Sequence, residues 1–114
     1  MRLGRHAIID GARADPFLLN NRPVLKRLLK AACESAGATV LQVMSHHFSP
    51  QGVTVACLLA ESHATVHTYP ECGIYMADVF TCGDVDPELA ANVLRRQLGG
   101  ESSVRVLDRP VEVQ

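Results

Sequence analysis

The chain has 114 residues, 47% hydrophobic and 20% charged, which suits one compact globular domain with a modest core. With 11 Lys and Arg against 12 Asp and Glu, the formal net charge is −1 and no basic run exists, so a nucleic-acid surface is excluded from the leading readings. The opening MRLGRHAIID is too polar for a secretory signal, and no apolar run reaches the roughly 18 residues of a membrane span, so a cytoplasmic protein with no membrane partner is expected.

Taken in order, Leu3–Ile9 reads as a first strand closed by the turn signal Asp10-Gly11. Asn20 or Asn21 caps a helix with Pro23 in its first turn; Val24, Leu28, Ala31 and Ala32 recur at helical spacing, and Gly37 stops it. Ala38–Met44 alternates and is a strand; Pro50-Gln51-Gly52 is a turn, and Val53–Ala60 is an apolar run of strand length. Ala64–Thr68 and Ile74–Thr81 are further strands. Asp86 caps a second helix, with Pro87 at its first position and Gly99-Gly100 at its end, and Val104–Leu107 is a last strand. This order predicts an α+β fold: a two-layer α/β sandwich with a mainly antiparallel sheet and two main helices, as a single domain over 1–114.

Four cysteines, Cys33, Cys57, Cys72 and Cys82, are expected as free thiols, since no export signal precedes them and no C-x-x-C pair is present. Cys33 and Cys57 read as core residues and Cys72 as an exposed turn thiol.

Reactive side chains crowd into Glu61–Cys82, ESHATVHTYPECGIYMADVFTC. A metal site at His63 and His67 would need a helix, but Ala64-Thr65-Val66 leans to strand, where the rings stand roughly 13 Å apart. No metal is expected. A serine hydrolase built on Ser62 lacks the G-x-S-x-G elbow.

ESHATVHTYPE followed by DVFTCG resembles the signature of the short, pyruvoyl-dependent prokaryotic S-adenosylmethionine decarboxylases. Leu3-Gly4-Arg5-His6 and Gly52-Val53-Thr54 also resemble that family's pattern, so the resemblance covers most of the chain to about Leu98. It implies a proenzyme that cuts itself between Glu61 and Ser62, giving a β chain 1–61 and an α chain 62–114 whose first residue becomes a covalent pyruvoyl group. That group would form a Schiff base with the substrate amine and draw off the electrons released with CO2, work done elsewhere by pyridoxal phosphate on a lysine. Here the only lysines, Lys26 and Lys30, lie far from the signature.

By the same resemblance, Ser62 is both nucleophile and leaving-group carrier, and His67 is the proton acceptor of processing, supported by Thr54 where a serine is usual. Cys82 is the acid that reprotonates the substrate carbon, while Phe48 and Tyr69 stack adenine and Glu71 binds the ribose hydroxyls. Tyr69 stands where tryptophan is common and Ala64 where leucine is common. His63 has no assigned role and is taken as structural, as are His6, His46 and His47. The expected reaction makes the aminopropyl donor for spermidine synthesis, in a homodimer of cleaved protomers with sites near the subunit interface. Arginine or ornithine decarboxylation by the same machinery, or an uncleaved binding or regulatory module, are the alternatives.

Overall fold

Alternation decides which side of each strand is buried, and two helices are enough to cover only one side of the resulting sheet. The computed structural model describes residues 2–110. Its strands are β1 (Arg2–Ala12), β2 (Val40–His47), β3 (Val53–Leu59), β4 (Ser62–Tyr69), β5 (Ile74–Thr81) and β6 (Glu101–Pro110). The helices are α1 (Pro16–Leu19), α2 (Arg22–Ser35) and α3 (Pro87–Leu98), and a 3-10 turn spans Pro70–Cys72. The sheet order is β2-β3-β4-β5-β1-β6 with every neighbouring pair antiparallel, so the α+β sandwich expected from the strand and helix pattern is the fold observed. Met1 and residues 111–114 lie outside the described residues.

Inward residues of the strands, among them Ile9, Val53, Val55, Val66, Tyr75 and Val79, form the core with Leu25 and Leu29 of α2 and Leu94 and Leu98 of α3. Asn21 caps α2 by accepting from the Val24 N–H at 3.2 Å, and Asp86 caps α3 by accepting from the Glu88 N–H at 3.0 Å. Leu25, Leu29, Ala32 and Cys33 then form a buried stripe at helical spacing.

Several strand boundaries differ from those predicted. Asp10-Gly11 is no turn: β1 continues to Ala12, paired with β5 on one side and β6 on the other. Gly11 is there for close approach, because a Cβ would lie 2.1 Å from the Tyr75 ring. β2 extends to His47, and β6 runs from Glu101 to Pro110, since pairing along a full neighbouring strand outweighs weak local propensity. Finally β4 starts at Ser62, two residues before the predicted Ala64.

All four cysteines are free thiols, Cys33 and Cys57 buried and Cys72 and Cys82 exposed. A hydrogen bond to Cys57, together with burial, pushes the Cys33 thiol up from its ordinary value. No helix among the described residues is long and apolar enough to cross a membrane.

Candidate active site

The sheet face away from the helices carries the chemistry. Strand alternation sets His63, Thr65, His67 and Tyr69 of β4 on that side, while Ala64, Val66 and Thr68 are buried on the other. The signature residues fall into two groups at opposite ends of β4.

The first group surrounds the Glu61–Ser62 bond, where the hairpin from β3 turns into β4. Glu61 is held at side chain and backbone: Oε1 accepts from the Thr39 N–H at 3.0 Å, and the backbone carbonyl accepts twice from Cys82. The Cys82 N–H donates at 3.2 Å and its thiol at 3.1 Å. The register accounts for this, since Ser62 pairs with Thr81 and Cys82 follows directly. Two donors on one carbonyl withdraw its electrons and are placed to hold negative charge on that oxygen.

Ser62 itself has φ 151°, which side-chain-bearing residues rarely adopt, a conformation costing roughly 1–3 kcal/mol that only the surrounding structure can maintain. Its Oγ lies 3.0 Å from His63 Nδ1. His63 had no assigned role in the sequence, and no sequence signal could have found this contact. Consecutive residues of a regular strand point to opposite faces, and the unusual φ of Ser62 is what departs from that rule. A cleft of about 230 Å³ opens beside Cys82, walled by Gly4, Arg5 and Gly83. Arg5 is held there by Asp86 at 3.2 Å and Asp108 at 3.6 Å.

The second group is centred on His67. Its Nδ1 is hydrogen-bonded to Thr54 Oγ1, the two residues being direct partners across β3 and β4. Aromatic rings flank the imidazole: Tyr69 at 4.7 Å and Phe48 at 5.7 Å between centroids, both edge-on. His46 packs against Phe48 at 4.5 Å. Phe48 and Tyr69 remain 42% and 39% exposed, so their faces are open to a ligand. Glu71 is exposed in the 3-10 turn that follows Tyr69. A depression of about 220 Å³ lies next to Thr54 and His46.

Glu61, Ser62 and Cys82 are thus brought together, as are Thr54, His67, Phe48 and Tyr69, but the two groups are not brought to each other. His67 lies five residues along the strand from Ser62, a span of roughly 16 Å. Between them stands a network absent from the sequence reading: His6 Nε2 lies 2.7 Å from Asp78 Oδ2, and Thr65 Oγ1 donates to the other oxygen of Asp78.

The residues suit an internally generated keto group better than a lysine-held cofactor. Both lysines lie on α2, in the helical layer, whereas the serine sits at a distorted position with its preceding carbonyl already polarised.

The architecture recurs in the crystal structure of the adenosylmethionine decarboxylase from Aquifex aeolicus VF5, which superposes with a TM-score of 0.90 at 30% identity and covers 99% of this chain and 95% of that one. A fold and a site of this kind define a small decarboxylase. Among sequence relatives, the S-adenosylmethionine decarboxylase proenzyme of Prochlorococcus marinus (strain MIT 9313) is 45% identical over 101 residues, covering 88% of this chain and 81% of the relative. The proenzyme of Brevibacillus brevis is 48% identical over 92 residues, 80% of this chain and 69% of the relative. The family model for S-adenosylmethionine decarboxylase matches residues 5–110. The chain belongs to the S-adenosylmethionine decarboxylase family.

Proposed function

We propose that this chain is a proenzyme that cleaves itself between Glu61 and Ser62 and, as a homodimer, decarboxylates S-adenosylmethionine. The observation that carries the proposal is the pair of hydrogen bonds from Cys82 to the Glu61 carbonyl, directly before a serine in a strained conformation.

Cleavage follows from those atoms. Ser62 Oγ attacks the Glu61 carbonyl carbon, a C–O bond forms, and the displaced electron pair rests on the oxygen that Cys82 holds. Breaking the C–N bond converts the amide to an ester. Removal of the Ser62 Cα proton then expels the Glu61 carboxylate and leaves dehydroalanine, whose hydrolysis releases ammonia and completes the pyruvoyl group. Once formed, that group supplies the electron sink for loss of CO2. The Cys82 thiol, beside position 62, protonates the substrate carbon after CO2 departs. Phe48 and Tyr69 bind the adenine ring and the sulfonium cation, and Glu71 accepts hydrogen bonds from the ribose hydroxyls.

His67 serves as base for the Cα proton, and the distance along β4 makes this an intersubunit role. The open sheet face exposes Met44, Leu58, Met76 and Leu107 as well as Phe48 and Tyr69, an apolar patch that a second copy covers. In an isologous pairing of that face, the Ser62 end of one sheet lies over the His67 end of the other. The cleft beside Cys82 holds about 230 Å³, short of the roughly 300 Å³ at which small-molecule sites begin, whereas a hollow of about 350 Å³ lined by Thr65, His67, Met76 and Asp78 lies at the other end. Thr54 orients His67 by occupying Nδ1, which leaves Nε2 for the proton. Free thiols at all four cysteines suit a reducing, cytoplasmic setting.

Intact mass and gel analysis of the purified protein tests the cleavage. Two fragments, 1–61 and 62–114, the second without an α-amine, are expected; a single intact chain with Ser62 unchanged refutes the proposal. CO2 release assayed on S-adenosylmethionine, arginine and ornithine is expected with the first alone.

A further inference from the structure

We infer that His63 is a catalytic residue of self-cleavage: its Nδ1 takes the Ser62 hydroxyl proton in the amide-to-ester step, a role separate from that of His67. The inference rests on the proposed cleavage at Glu61–Ser62. The supporting geometry is local. Ser62 Oγ lies 3.0 Å from His63 Nδ1, within hydrogen-bond reach of a base for the proton that must leave as Oγ attacks. His67 cannot do this within one chain, being five strand residues away and bound through Nδ1 to Thr54.

The ring is also held in place. Phe80, across the β4–β5 register from His63, packs against it with centroids 5.7 Å apart, and Arg109 lies over the Phe80 ring at 5.1 Å. His6 also packs edge-on to Phe80, with ring centroids 5.4 Å apart. His63 Nε2 carries the ring hydrogen in the competent tautomer, so Nδ1 presents its lone pair to the hydroxyl.

The proton balance closes on the two residues. His63 gains the Oγ proton as the C–O bond forms, the Glu61 oxygen carries the negative charge held by Cys82, and the imidazolium returns the proton to the Ser62 nitrogen as the C–N bond breaks. The product is the ester with a free amine and neutral His63. The later elimination needs a base at Cα, which is a different atom, so losses of the two histidines stall the chain at different covalent states.

Hydroxylamine distinguishes those states, because it cleaves an ester at neutral pH and leaves an amide intact. Full-length wild type, His63→Ala, His63→Gln and His67→Ala are purified as precursors and followed by mass spectrometry with and without hydroxylamine. His63→Ala and His63→Gln are expected to process at least about a hundredfold more slowly than wild type and to resist hydroxylamine, with added imidazole restoring cleavage of His63→Ala. His67→Ala is expected to collect as an ester that hydroxylamine splits at 61/62. The His63 side chain is exposed, and unchanged circular dichroism of either variant establishes that it folds. Wild-type rates in both His63 variants, or hydroxylamine-sensitive ester in them, overturn the inference. An uncleaved wild type instead overturns the underlying cleavage proposal.

Discussion

The two ends of β4 use the same backbone ladder in opposite ways. At the Ser62 end the strand is distorted: φ is 151°, the hydroxyl meets its own neighbour's imidazole, and the preceding carbonyl is taken by Cys82. At the His67 end the strand is regular, and the histidine pairs in register with Thr54 between two aromatic rings. The proposed bond cleavage falls at the irregular end. The regular end is a platform that holds one imidazole between two partly exposed aromatic rings, which the proposal uses as base and stacking faces. The lesson is that strain and order are placed separately, and in the proposed homodimer a second copy joins them.

The most severe break of this comparison is Ser62→Ala, which removes the nucleophile and is expected to abolish cleavage altogether, read as one intact band. Next comes a mixing test of the intersubunit assignment. Coexpressed Ser62→Ala and His67→Ala chains are expected to restore cleavage of the His67→Ala chain in mixed dimers, up to about half of those chains if pairing is random. If both ends served the same protomer, the His67→Ala chains would stay uncleaved at any ratio. Cys82→Ala keeps the backbone donor to the Glu61 carbonyl but loses the thiol. Processing is expected to slow on the order of 10²-fold, and decarboxylation by the chains that do mature should be lost.

Smaller effects sharpen the regular end. Thr54→Val removes the hydroxyl that holds His67 at nearly constant volume; loss of about 1 kcal/mol of orientation should slow processing roughly fivefold, and Thr54→Ser should restore it. Tyr69→Ala should leave cleavage at the wild-type rate while raising KM for S-adenosylmethionine roughly tenfold, measured by CO2 release. A comparable fall in processing rate would place Tyr69 in the cleavage machinery and weaken the division between the ends.

Much of the fold was legible because its signals are local. Asn21 and Asp86 cap the helices as their residue types predict, and β5 and α3 have the predicted limits. Asp10-Gly11 misled because its glycine answers to a ring from another strand, a contact that no local pattern encodes. His63 was passed over for a related reason: alternation sends it away from Ser62, and only the backbone departure at position 62 brings them into contact.

By itself the sequence determined the family and offered the residue types and the bond on which the proposal rests, because a long motif keeps its identity in any conformation. Only the tertiary structure decided that Cys82 reaches the Glu61 carbonyl and that His67 does not reach Ser62. The physical reason is register: antiparallel pairing of β4 with β5 brings position 82 beside position 61, while the stiffness of β4 holds its two ends apart.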